Sequence, residues 1–158
     1  RNGEEWGRVA AMQRPLLVGE FDVTLDAKNR IAIPARLHTS FLEGIYVTQE
    51  NERCLGGYNP EEFQARLQED VEVAPAGTAA RRDVKRRLAA TAVYLPELDK
   101  QRRVTLPARH LAYAGISRDV TVIGVADHLE IWDRDAWAEY RAHLEEEADA
   151  SADEHPAS

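Results

Sequence analysis

Apolar and polar positions alternate on both sides of a short polar segment, and this happens twice in the chain. Val23 and Leu25 alternate with polar neighbours before Asp26, and Ile31 and Ile33 alternate after Arg30. That period of two is the pattern of strands flanking a turn, and it predicts a β-hairpin with residues 26–30 at its tip. Pro34 stands where a helix can begin and Gly44 just past its end, with Leu37 and Phe41 four apart between them; Pro107, Leu111 and Gly115 repeat the device. The β-branched runs 45–48 and 120–125 predict strands. Asn59 and Asp133 then read as N-caps, the first followed by Pro60, Glu61 and Glu62 at the positive end of a helix. Each half therefore reads hairpin, short helix, strands, helix. Between the halves, Val84, Leu88 and Ala92 recur every four residues beside Arg81, Arg82, Lys85, Arg86 and Arg87, which predicts an amphipathic helix over 78–94 with a basic face.

The halves are copies of one another. Leu25 to Arg36 aligns with Leu98 to Arg109 without a gap, and six of the twelve positions are identical: Leu, Asp, Arg, and the closing Pro-Ala-Arg. Two copies are too few for a solenoid, so a pair sharing one core is the expected architecture. The expected boundaries are an N-terminal extension at 1–15, a first repeat at 16–72, a connecting loop and basic helix at 73–93, a second repeat at 94–144, and an acidic tail at 145–158.

Composition changes this picture in one respect. The net charge of −8 looks hostile to nucleic acid, but six of the 28 acids lie in 145–158, where there is no Lys or Arg. The remaining 22 nearly balance the 20 Lys and Arg, leaving a near-neutral body with an acidic end. With almost nothing to bury, that end is expected to be disordered. Its charges would either keep random DNA from the basic tips or act only as a solvated tail. No apolar run approaches a membrane span, and the first fifteen residues lack the apolar stretch of a secretory signal, so a cytoplasmic location is expected. The single cysteine, Cys54, has no Cys or His neighbour at ligand spacing and reads as packing.

No nucleophile-plus-base constellation, Gly-rich phosphate loop or metal-ligand cluster is present in the sequence, so no catalytic residue, cofactor, metal or small-molecule substrate is expected. Asp26 and Asp99 each have an Arg four residues on, a spacing that lets the carboxylate accept turn N–H groups and pair with the Arg, a structural role. The basic residues are the candidates for binding. A tip presenting Lys28, Asn29 and Arg30, and another presenting Lys100, Gln101, Arg102 and Arg103, can enter the major groove as a β-ribbon. There Arg or Lys donates to guanine, and Asn or Gln pairs with adenine.

The Gly19-Glu20-Phe21 opening, the two Asp-x3-Arg motifs each followed by Pro, and the closing Leu129-Glu130-Ile131-Trp132 resemble the MraZ family over about residues 16–143. The resemblance implies an α+β, mainly β fold: two AbrB/MazE-like swapped-hairpin repeats forming a pseudo-twofold β-barrel with short peripheral helices. It further implies a nucleoid-associated transcriptional regulator of the division and cell-wall gene cluster. Such a protein reads repeated boxes in double-stranded promoter DNA and assembles with itself into a ring. DNA contact would come from the first tip, at Lys28 and Arg30, with Asp99 to Arg103 as the second motif. The alternative is a ring-forming protein-interaction scaffold with weak or no specific DNA binding. The family's usual turn carries Gly where this chain has Asn29 and Arg102. Asn tolerates the left-handed conformation, whereas Arg adopts it at a cost of roughly 1–2 kcal/mol, which predicts a remodelled second tip.

Overall fold

A computed structural model describes residues 16–72 and 78–154; the expected extension at 1–15 lies outside the described residues. In chain order the elements are β1 (Leu17–Thr24), β2 (Arg30–Ala32), a 3-10 turn (His38–Phe41), β3 (Ile45–Gln49), β4 (Leu55–Tyr58), α1 (Pro60–Glu72) and α2 (Ala79–Thr91). They continue with β5 (Val93–Leu95), β6 (Arg103–Thr105), α3 (Ala108–Ala114), β7 (Asp119–Ala126), β8 (Leu129–Asp133) and α4 (Arg134–Glu154).

The strands either side of each polar turn do not pair with one another, which corrects the hairpin expectation. β1 pairs antiparallel with β7 of the other half, from Leu17 opposite Ala126 to Thr24 opposite Asp119. β5 likewise crosses to β3, with Ile45 opposite Leu95. β2 pairs with β6, placing Ile31 opposite Val104. One six-stranded antiparallel sheet runs β1-β7-β8-β4-β3-β5, and β2-β6 forms a second, two-stranded sheet. The two repeats thus trade strands in every layer.

Trading is favourable because each repeat alone has too little apolar surface to close a core. Ile31, Ile33, Phe41, Ile45, Val47, Leu55, Leu106, Val120, Val122, Leu129 and Ile131 are all almost completely buried and belong to one cluster drawn from both halves. A smaller cluster beneath α4 holds Cys54, Ile123 and Trp132 against Trp137 and Tyr140. Cys54 is therefore packing, as expected, and burial pushes its thiol pKa upward.

The helix ends follow the sequence closely. Asn59 Oδ1 accepts the Glu62 N–H at 2.8 Å, and Asp133 Oδ2 accepts the Ala136 N–H at 3.1 Å, so both N-caps are made. α3 follows Pro107 and ends on Gly115 at φ 66°, the left-handed closure that glycine allows. Two expectations about the periphery are corrected. In the first repeat the segment corresponding to α3 makes only the 3-10 turn His38–Phe41 rather than a helix from Pro34 to Gly44. α4 has 21 residues, and it continues through 145–154, so the acidic end is helical rather than disordered; residues 155–158 lie outside the described residues. Alanine and glutamate favour helix intrinsically, and the i,i+4 pairs Arg141–Glu145 and His143–Glu147 support it.

Of the amphipathic pattern predicted for α2, the side chains of Arg81 and Val84 lie outside the described residues. Leu88 is buried, Lys85 is exposed, Arg86 pairs with Asp83 at 3.1 Å, and Arg87 donates to Asn51 at 2.7 Å. Among the described residues no helix is long and apolar enough to cross a membrane.

Candidate nucleic-acid interface

Each polar turn is built around one carboxylate. Asp26 Oδ1 accepts the backbone N–H groups of Lys28 and Arg30, both at 2.9 Å, while Oδ2 accepts Arg30 Nε at 2.8 Å. The Asp26 N–H donates to the Arg30 carbonyl at 2.9 Å, and the Asn29 N–H donates to the Asp26 carbonyl at 3.0 Å. The second turn repeats every bond. Asp99 Oδ1 accepts from Gln101 and Arg103, both at 2.8 Å, and Oδ2 accepts Arg103 Nε at 2.8 Å. Both carboxyls are held below their usual pKa, first by the N–H groups of Arg30 and Arg103; partial burial opposes this, and the guanidinium groups add to it. The expected structural role of Asp26 and Asp99 is what the geometry provides.

The two turns lie together. The Arg102 carbonyl accepts the Ile33 N–H, and the Asn29 carbonyl accepts the Leu106 N–H, both at 2.8 Å. Each turn is therefore bonded to the strand end of the opposite repeat. Arg103 Nη1 also lies 3.7 Å from Asp26 Oδ2, linking the turns electrostatically.

The sequence-predicted site residues divide into two kinds. Lys28, Lys100 and Gln101 are exposed at the tips, with side chains free of any hydrogen bond or ion pair among the described residues. Arg30 and Arg103 are tied to their Asp partners, with side chains 25% and 29% exposed. Asn29 and Arg102 are half-buried at φ 61° and 62°, so the second tip keeps the conformation of the first and the expected remodelling does not occur. Arg102 Nε is buried without a hydrogen-bond partner among the described residues.

Three further cations follow from these bonds: Arg36 and Arg109, each three residues after the Ile33 or Leu106 N–H that is bonded to the opposite tip, and Arg118, whose carbonyl accepts the Leu25 N–H at 2.8 Å. Sequence reasoning missed them as site residues, although Arg36 and Arg109 close the identical Pro-Ala-Arg of the two copies.

The acidic helix does not reach this interface from its own chain. Arg134 at the start of α4 donates to the Val23 carbonyl at 2.8 Å, and Arg141 lies 3.1 Å from Glu20, with Trp137 Nε1 donating to the same carboxylate. α4 therefore runs back along β1, away from the Asp26 turn. Its residues beyond Arg141 carry the acids about 20 Å further.

Comparison with known proteins agrees with the tandem organisation. A family model described as "MraZ protein, putative antitoxin-like" matches residues 16–87 and again 89–157. A protein of Thermobifida fusca named Transcriptional regulator MraZ is 40% identical over 132 residues, covering 83% of this chain and 90% of the relative. The proteins of the same name from Micrococcus luteus and Mycolicibacterium smegmatis are 37% and 35% identical, over 82% and 88% of this chain and 90% and 96% of their own lengths.

Proposed function

The chain belongs to the MraZ family, and from that premise and the geometry of the turns we propose that it is a sequence-specific DNA-binding transcriptional regulator. Its targets are repeated promoter boxes of the division and cell-wall gene cluster. It acts in the cytoplasm, at the nucleoid, as a ring-like assembly of copies whose two repeats close a barrel about a pseudo-twofold axis. The observation that carries this reading is the pair of identically bonded tips, joined by β2–β6, with Lys28 and Lys100 exposed and unpaired among the described residues.

The rigid turn fixes the direction of the base-reading side chains. Asp26 holds Arg30 by Nε alone, so the two Nη groups are left to donate as a fork to guanine O6 and N7. Lys28 and Asn29 serve the first tip with Arg30, and Lys100, Arg102 and Arg103 serve the second. A single tip covers too few base pairs for operator-level specificity, so an array of copies reads an array of boxes.

The test is binding of the full chain to DNA from upstream of the division and cell-wall genes, against a scrambled fragment at fixed salt. Arg30→Ala is expected to weaken specific binding by roughly 1–3 kcal/mol, the worth of one bidentate base contact, with the fold unchanged by circular dichroism. Equal affinity for both fragments, with no dependence on salt, would instead select the scaffold reading.

A further inference from the structure

We infer that Arg36 and Arg109 are phosphate-positioning residues, each serving the tip of the opposite repeat. This rests on the DNA-binding reading and assigns residues to it that the tip motif does not contain. One reading unit is then composite: the first tip with Arg109 from the second repeat, and the second tip with Arg36 from the first.

Three independent observations lead there. The alignment places an Arg at the third position of Pro-Ala-Arg in both copies, so the two residues are a repeated feature and not a chance pair. Both side chains are exposed, and neither has a hydrogen bond or ion pair among the described residues. That contrasts with Arg30, Arg103, Arg134 and Arg141, each of which is held by a carboxylate. The third observation is the strand exchange. The Asn29 carbonyl at the first tip is bonded to the N–H of Leu106, three residues before Arg109, and the Arg102 carbonyl at the second tip is bonded to the N–H of Ile33, three residues before Arg36.

The distances suit this role. Three residues span at most about 11 Å between Cα atoms, less than the about 12 Å width of the major groove, so an Arg flanking a seated tip is within reach of the phosphates at the rim. Such a contact sets register and contributes to affinity without reading sequence. Arg118 is exposed and is bonded through its carbonyl to Leu25, next to the first tip.

The experiment follows binding of the full chain to a fluorescein-labelled mixed-sequence duplex by anisotropy across a potassium chloride series. Removing one cation from a phosphate lowers the slope of log affinity against log salt by about 0.9. Arg36→Ala and Arg109→Ala are each expected to lower it by about that amount and Arg109→Lys to restore it, all with unchanged thermal unfolding. An unchanged slope in both alanine variants overturns the assignment while leaving DNA binding itself intact. Absence of any salt-dependent binding by the wild-type chain overturns the DNA-binding reading and this inference with it. The cross-repeat pairing is checked by double variants. Lys28→Ala with Arg109→Ala is expected to depart from additivity, whereas Lys28→Ala with Arg36→Ala adds. The reverse pattern, or additivity in both, overturns the pairing.

Discussion

The Asp26–Arg30 and Asp99–Arg103 turns close through matching hydrogen bonds, yet the residue held near φ +60° is Asn29 in one and Arg102 in the other. A turn governed by its own local preferences would have differed between the two, because Asn enters the left-handed region readily and Arg does not. The geometry is kept because it is set from outside the turn. The carbonyl of each left-handed residue is bonded to the opposite repeat, and β2 and β6 meet at a buried pair, Ile31 and Val104. Strand exchange thus makes each tip a property of both repeats, and this is what lets the second tip tolerate an unsuitable residue.

The most damaging way to break the equivalence is at that joint. Ile31 is completely buried opposite Val104, and Ile31→Ala is expected to cost about 2–5 kcal/mol in urea unfolding. The diagnostic feature is where the loosening shows. Amide exchange should quicken at both Arg30 and Arg103, whose N–H groups are held by Asp26 and Asp99. Quickening at Arg30 alone would mean that the turns are maintained independently.

Much of this joint was legible in the sequence, but not its partners. Period-two alternation told correctly that Ile31 and Ile33 face a core. It could not say whether β1 turns back on β2 or crosses to β7, since the pattern fixes the face a strand presents and not its neighbour. The Asp-to-Arg spacing identified the structural carboxylates because that chemistry is local. Arg36 and Arg109 were in the alignment yet carried no local signal, and only the cross-repeat bonds bring them beside a tip. The acids of 145–154 were misread for the converse reason. A segment with nothing to bury cannot fold by itself, but here it extends a helix already anchored by Trp137 and Tyr140 on Trp132.

A second, smaller difference between the halves lies just past the tips. His110 aligns with Leu37, and both are buried, but His110 donates Nε2–H to the Thr91 carbonyl at 2.8 Å. Burial lowers its pKa from the ordinary 6.5; the Thr91 carbonyl opposes this, and the charge on Arg109 adds to it. The folded chain therefore holds His110 neutral where the unfolded chain would bind a proton. The stability that His110 contributes is present above its unfolded pKa of 6.5 and declines as the pH falls through it, toward the lowered folded value. One proton limits the slope to about 1.4 kcal/mol per pH unit. His110→Leu, which gives the second repeat the first repeat's residue, should flatten chemical-denaturation midpoints between about pH 7 and pH 5, the range in which an ordinary histidine titrates. A slope identical to wild type would place the proton elsewhere.

The smallest expected effect bears most directly on the tips. Arg102→Gly removes a side chain from the left-handed region, relieving roughly 1–2 kcal/mol, and the backbone freedom of glycine returns about 0.5–1 kcal/mol of that to the unfolded chain. It also removes an Nε buried without a hydrogen-bond partner among the described residues. The balance is a gain of about 1 kcal/mol, or a rise of about 2–4 °C in Tm for a chain of this size. Asn29→Gly, at the same position of the first turn, should change Tm little, because Asn adopts that conformation at small cost. The comparison therefore predicts an asymmetric response from two turns of the same shape. Equal shifts for both variants would mean that the strand exchange relieves Arg102 fully, and that its place in the second turn costs the fold nothing.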